Sequence, residues 1–253
     1  MPVKLEGFSG GDRTAIDLPA AQEELLKAVA ATGKPLVVVL QNGSALAVNW
    51  AQEHANAILE AWYPGEEGGT AIAETLAGDN NPAGRLPLTF YSSLSQLPSF
   101  KDYSMKQRTY RYFSDKPLYS FGFGLSYTNF AYSSIKLPSS IKAGESVTVE
   151  ADVINTGSTA GDEVVELYLT QPKASETPIR VLAGFTRLHL APGKSTHVGL
   201  TIDPRSIAQV DENGTRVILA GEYAVSLGGA QPGGDALVQI GQFTVSGNAE
   251  LAR

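Results

Sequence analysis

The hydrophobic period of this chain changes once, near residue 127, and that change constrains the fold more than any other feature. Before it, apolar residues fall either at helical spacing or in short unbroken runs. Leu18, Leu25, Leu26 and Val29 sit near 3.6-residue spacing, so residues 19–32 are expected to form a helix, stopped by Gly33. Residues 36–40 (LVVVL) form a continuous β-branched run, as expected of a strand buried on both faces. A second helix is expected over 45–53, a second buried strand over 57–61, a third helix over 67–77 between Pro64-Gly65 and Gly78, and a third strand over 86–90. This β-α-β-α-β order implies a parallel sheet covered by helices. Three strands make a small sheet with edges and faces still to cover, so this half reads as partial.

Residues 91–126 are irregular and rich in aromatics. From residue 127 the pattern alternates. SVTVEADVIN, EVVELYLTQ, RVLAGFTRLHL, STHVGLTID, TRVILA, EYAVSLG and LVQIGQFTV are seven strand candidates, separated by turn signals such as Asn155-Thr156-Gly157 and Asn213-Gly214. Seven short strands at that spacing point to an immunoglobulin-like sandwich. The expected fold is therefore α/β plus all-β. A partial α/β sandwich with its linker occupies residues 1–126, and a β-sandwich occupies 127–253.

Composition removes several function classes. The net charge of −7 leaves no basic footprint for nucleic acid, and no run of like charge or long apolar stretch points to a membrane. The chain has no cysteine, which excludes disulfides, thiolate metal sites and a thiol nucleophile. His54, His189 and His197 have no metal-ligand spacing, so neither a metal nor a Ser-His triad is expected. The N-terminal MPVKLEGFSGGDR lacks the apolar core of a signal peptide. The compartment stays open: secreted or periplasmic if a longer parent carries an export signal, cytoplasmic otherwise.

Other motifs read as structure. Gly7-Phe8-Ser9-Gly10-Gly11 fits G-x-S-x-G but lacks the preceding buried strand that a nucleophile elbow needs. Glu66 and Glu67 complement a helix dipole. Asp79-Asn80-Asn81-Pro82 reads as a helix-to-strand turn. Sequons stand at Asn42 and Asn213, both in Gly turns. The aromatics Tyr103, Tyr110, Tyr112, Phe113, Tyr119, Phe121 and Phe123 suit either a domain junction or sugar stacking, with junction packing favoured. Arg111, between Tyr110 and Tyr112, is the best candidate for a polar contact with a substrate or another domain.

Two long segments carry a resemblance. DRTAIDLPAAQEELLKAV, KPLVVVLQNGSALAV and AILEAWYPGEEGGTAIAETLAGDNNPAGRLPLTF resemble the second half of the α/β-sandwich domain of family 3 glycoside hydrolases, the β-glucosidases and β-xylosidases. NTGSTAGDEVVELYLTQP, PIRVLAGFTRLHLAPGKS and GEYAVSLG are similar to the fibronectin type III-like domain many members carry at the C-terminus. The resemblance implies retaining hydrolysis of terminal β-D-glucosyl or xylosyl residues of a glucoside or oligosaccharide, without cofactor or metal. It implies a nucleophilic Asp on a TIM-like barrel and an acid/base Glu on a sandwich-domain loop, the two carboxyls about 5 Å apart. The barrel and the first sandwich half have no counterpart in this sequence, so no residue matches the nucleophile. Glu6 is the positional match for the acid/base; a Glu-rich segment just upstream in relatives is the alternative. The resemblance also makes Arg111, Tyr110 and Tyr112 candidate substrate contacts. The isolated chain is expected to be inactive and, with its sheet incomplete, to dimerise or aggregate. The rival expectation is a non-catalytic accessory, dimerisation or carbohydrate-binding module that works with a separate barrel chain.

Overall fold

A computed structural model describes residues 14–172, 177–233 and 238–252. The α/β part holds α1 (Ala20–Ala30), β1 (Val37–Leu40), α2 (Asn49–His54), β2 (Ala57–Glu60), α3 (Gly68–Ala77) and the single turn α4 (Thr109–Tyr112). β1 and β2 pair in parallel, Val37 opposite Ala57 and Leu40 opposite Glu60. Their core gathers Leu36, Val38, Leu40, Leu46, Val48 and Ala51, with Leu26 and Ala30 of α1 packed on it. α3 ends at Gly78 in a left-handed cap, the conformation a glycine adopts without a Cβ penalty.

Three expectations are corrected here. Residues 86–90 do not extend the parallel pair. Phe90 instead makes an antiparallel bridge to Tyr119, and Leu86 exchanges backbone bonds with Gly122 and Phe123. The fixed end of that segment is Arg85, which is held by the β-sandwich and draws the chain away from β2. Nor is β1 buried on both faces: Val37 is 45% exposed and Leu25 of α1 is 62% exposed. The second helix is also shorter than expected and begins later, at Asn49.

The β part contains β3 (Phe130–Tyr132), β4 (Ser140–Lys142), β5 (Val147–Asn155), β6 (Gly161–Thr170), β7 (Val181–Leu190), β8 (Ser195–Ile202), α5 (Pro204–Ile207), β9 (Gln209–Val210), β10 (Arg216–Ile218), β11 (Gly221–Gly228), β12 (Val238–Ser246) and β13 (Ala249–Leu251). One sheet has the order β4-β12-β11-β6-β7, the other β3-β5-β8, with β13-β10-β9 a small third. All seven expected strands are present. β5 alternates as the sequence does, Val147, Val149, Ala151 and Val153 facing in. Those residues meet Val165, Leu167 and Leu169 of β6, with Tyr223 and Phe243 stacked at 5.4 Å, in one buried core. Each such side chain contributes about 1.5–3 kcal/mol by leaving water.

β6 departs from simple alternation. From Glu166 to Leu169 every residue is buried, because the outer face of this strand lies under the α/β part. Polar residues lock that contact. Asn81 donates to Ala160 O (2.9 Å) and accepts from Ser126 Oγ and Tyr127 N, while the Tyr127 hydroxyl donates to Thr75 O. Gly122 has φ 77°, and a Cβ there would stand 2.3 Å from Glu166 Oε2. Gly122→Ala is expected to cost about 1–2 kcal/mol from the left-handed backbone alone, with crowding of Glu166 adding to it. A thermal melt checks this; an unchanged midpoint would mean the turn relaxes freely.

Candidate functional site

Tyr103 is 87% exposed and stands apart, but most of the aromatic cluster singled out in the sequence lies around the cleft between the two parts, namely Tyr110, Phe113, Tyr119, Phe121 and Phe123. Its spine is α4. Gln107 and Thr109 both hold φ 56°, unusual for a β-branched residue, and Thr109 N donates to the Tyr91 hydroxyl (2.9 Å). Tyr110 stacks on Phe121 at 4.3 Å and meets Tyr168 of β6 edge-on at 6.0 Å. Its hydroxyl accepts from Leu182 N of β7 (3.1 Å). Arg111 O accepts from Ile179 N (2.6 Å), and its guanidinium carbon lies 5.7 Å from the centre of the Tyr112 ring. Arg111 Nε is buried with no partner among the described residues. Tyr110 and Arg111 therefore both touch the β-sandwich, one by its side chain and one by its carbonyl, while Tyr112 contributes its ring face to Arg111.

Beside them a cleft of about 1090 Å³ runs between the parts, lined by residues that include Gln52, Arg85, Tyr119, Phe123, Glu163 and Arg180. Tyr119 and Phe123 stack at 5.3 Å, and the Tyr119 hydroxyl donates to Gln52. The cleft also reaches a buried charge cluster. Arg85 Nη2 donates to Glu163 Oε2 at 2.8 Å, and its Nε donates to Gly229 O at 3.0 Å. The Tyr132 hydroxyl donates to the other Glu163 oxygen. Glu166 accepts from the Tyr168 hydroxyl (2.7 Å). Burial drives the pKa of Glu163 upward even against the neighbouring guanidinium, and drives Glu166 up to about 7.

The loop bearing Glu6, Ser9, Asp12 and Arg13 lies outside the described residues. The described chain begins just after it. Ala47 N donates to Ile16 O (2.9 Å), and Asp17 bridges Ala47 in parallel, so residues 16 and 17 lie beside the connection between β1 and α2. Glu66 and Glu67 are exposed at the start of α3, and Glu67, its N-cap, makes no side-chain capping bond.

Comparison with known proteins assigns the family. Residues 3–127 match the Glycosyl hydrolase family 3 C-terminal domain, and residues 163–231 match the Fibronectin type III-like domain. This chain belongs to glycoside hydrolase family 3. The family 3 chain is 44% identical over 229 residues to a xylan 1,4-beta-xylosidase of Xylanibacter ruminicola, covering 90% of itself and 26% of that protein. It is 42% identical over 205 residues to a periplasmic beta-glucosidase of Salmonella typhimurium, covering 76% of itself and 27% of that protein. A solved β-glucosidase of Erythrobacter marinus superposes with TM-score 0.83 at 36% identity, over 96% of this chain and 32% of that one. The chain thus spans about a quarter to a third of the length of these relatives and corresponds to the C-terminal part of family 3 proteins.

Sequence reading missed Arg85, Glu163, Glu166 and Glu60. One signal was available in the family 3 chain: EVVELYL, residues 163–169, places two carboxylates in an otherwise apolar run. A strand buried on both faces tolerates a charge only with a partner.

Proposed function

We propose that this chain is the C-terminal portion of a retaining β-glycosidase that releases terminal β-D-glucosyl or β-D-xylosyl residues. The observation that carries the reading is the ordered match of both parts to family 3 from residue 3 to residue 231. In this reading Glu6 lies on the acid/base loop and the nucleophile belongs to a barrel domain outside these 253 residues. The two parts divide at residue 126/127, the point where the hydrophobic period changes. Tyr110, Arg111 and Tyr112 act chiefly by seating the β-sandwich. A retaining mechanism needs both carboxyls about 5–5.5 Å apart across one bond. The exposed Leu25, Val29 and Val37 are the face that the rest of such a protein covers, in preference to a second copy of this chain.

The purified chain should give little or no turnover of aryl β-glucosides and aryl β-xylosides. A longer family protein containing it should cleave one of them with retention, and lose that activity in Glu6→Gln. Robust turnover by the chain alone, lost in the same variant, would overturn the need for a barrel. No turnover by the longer protein would favour a non-catalytic module instead.

A further inference from the structure

The cleft between the two parts has a charged end that the Arg85–Glu163 pair does not reach. Arg180 lines the cleft just before β7, where Val181 stands opposite Leu169 of β6. Glu163 and Leu169 are six residues apart on β6, a strand distance of about 20 Å. The backbone around Arg180 is fixed to the α/β part: Ile179 N donates to Arg111 O (2.6 Å), and Leu182 N donates to the Tyr110 hydroxyl (3.1 Å). The Arg180 side chain is half-buried and has no hydrogen bond or ion pair among the described residues. Burial pulls its pKa down, and of the described groups only the Tyr168 hydroxyl acts against that. The cleft's other carboxylate among the described lining residues, Asp115, is exposed and does not act on Arg180. A guanidinium that has lost part of its water and gained no counter-charge is costly to keep. An anion entering the cleft supplies what is missing.

Size, charge and shape narrow that anion. The cleft, at about 1090 Å³, stands at the upper end of small-molecule sites, which span about 300–1,000 Å³ and favour the seam between two folded parts. One half-buried cation balances one negative charge, and its planar fork fits the two oxygens of a carboxylate. A phosphate carries roughly two charges and would need a second buried cation. Lys116, also in the lining, is exposed. Tyr110, Pro117 and Ile179 line the cleft too, an apolar flank suited to the less polar face of a pyranose ring.

We propose that this end of the cleft binds an acidic sugar, a β-linked uronic acid, with Arg180 as the partner of its carboxylate. The choice of a sugar rests on the glycosidase reading given above. The test titrates the ¹⁵N-labelled 253-residue chain with the methyl β-glycoside of D-glucuronate at pH 7 and low salt, and follows the backbone amide signals. Saturable shifts centred on residues 110–120 and 177–182 are expected, with a dissociation constant in the millimolar range. Methyl β-D-glucopyranoside, acetate and inorganic phosphate should each bind about tenfold or more weakly, since each lacks the carboxylate, the ring or both. Arg180→Gln should weaken uronate binding about tenfold or more and leave the weak response to the glucoside unchanged. Arg180→Lys keeps the charge without the fork and should recover only part of the loss. Equal affinity for the uronate and the glucoside, equal or tighter binding of acetate or phosphate, or wild-type affinity in Arg180→Gln overturns the site. Should Arg180→Gln fail to fold, Arg180→Lys and the ligand series on the unaltered chain decide the matter. If the site fails while a longer family protein still hydrolyses aryl glycosides, the acidic-sugar site alone has failed and the glycosidase reading stands.

Discussion

Arg85→Met is expected to destabilise the chain by about 3–5 kcal/mol, because it strands a carboxylate in the junction. Arg85 and Glu163 are nearly sealed from solvent, with 9% and 5% of their side chains exposed. The guanidinium also donates to Gly229, Ala83 and Gly84 carbonyls, so it ties the turn after α3 to the end of β11. Removing it leaves Glu163 with the Tyr132 hydroxyl as its remaining side-chain donor among the described residues. Desolvation already outweighs the Arg85 attraction at Glu163, since its pKa stands above the ordinary carboxylate value with the pair intact. Two consequences distinguish a pair that positions the two parts from one that merely adds stability. The double variant Arg85→Met/Glu163→Leu should recover most of the loss, since both charges then leave the interior together. The single variant should also be least damaging at low pH, where Glu163 is neutral. Denaturant unfolding of the four proteins at pH 5 and pH 8 measures both. A double variant as unstable as Arg85→Met would show that the carbonyl contacts of Arg85 dominate.

The same junction explains how far the sequence could be read. Strands such as β5 are legible because one face meets the core and the other meets water, so Val147, Val149 and Val153 announce their own direction. The strands β3, β4, β9 and β13 are two or three residues long and too short to carry a period. Residues 86–90 alternate like a strand, yet what they pair with was set by Arg85 and by the 119–123 segment, a partner no local pattern specifies. The site was legible only where its residue types are unusual. Tyr110, Arg111 and Tyr112 stand out as a cluster. Glu166 is easily passed over, because polar strand positions are by default assigned to solvent; its place in the apolar run EVVELYL is the one local hint that the outer face of β6 is covered. Glu60 was hidden for a related reason. A carboxylate at a strand end is ordinary, and only three-dimensional neighbours reveal that it is half-buried and bonded to the Trp62 backbone.

Glu166 also supplies the clearest dependence on pH. Its ordinary pKa of 4.5 rises to about 7 in the folded chain, chiefly because burial disfavours the ionised form. Below about pH 4.5 the group is neutral folded or unfolded and makes no difference. Between there and pH 7 the unfolded chain ionises while the folded chain holds its proton, so stability is lost as pH rises. Above about pH 7 the penalty is complete, at most about 3 kcal/mol for a shift of this size. Glu163 pushes in the same direction, since its pKa is also raised. Glu166→Gln keeps an oxygen for the Tyr168 hydroxyl and never ionises. It should leave stability almost unchanged at pH 4.5 and raise it progressively to pH 8, flattening the wild-type decline. Thermal melts of both proteins across that range provide the check, and an equal offset at every pH would mean that Glu166 titrates in the fold as it does in the unfolded chain. The expected direction bears on function as well. A junction that loosens as Glu166 deprotonates binds the β-sandwich to the α/β part most firmly on the acidic side of neutrality, so the seating of Tyr110 against β7 should weaken along the same curve.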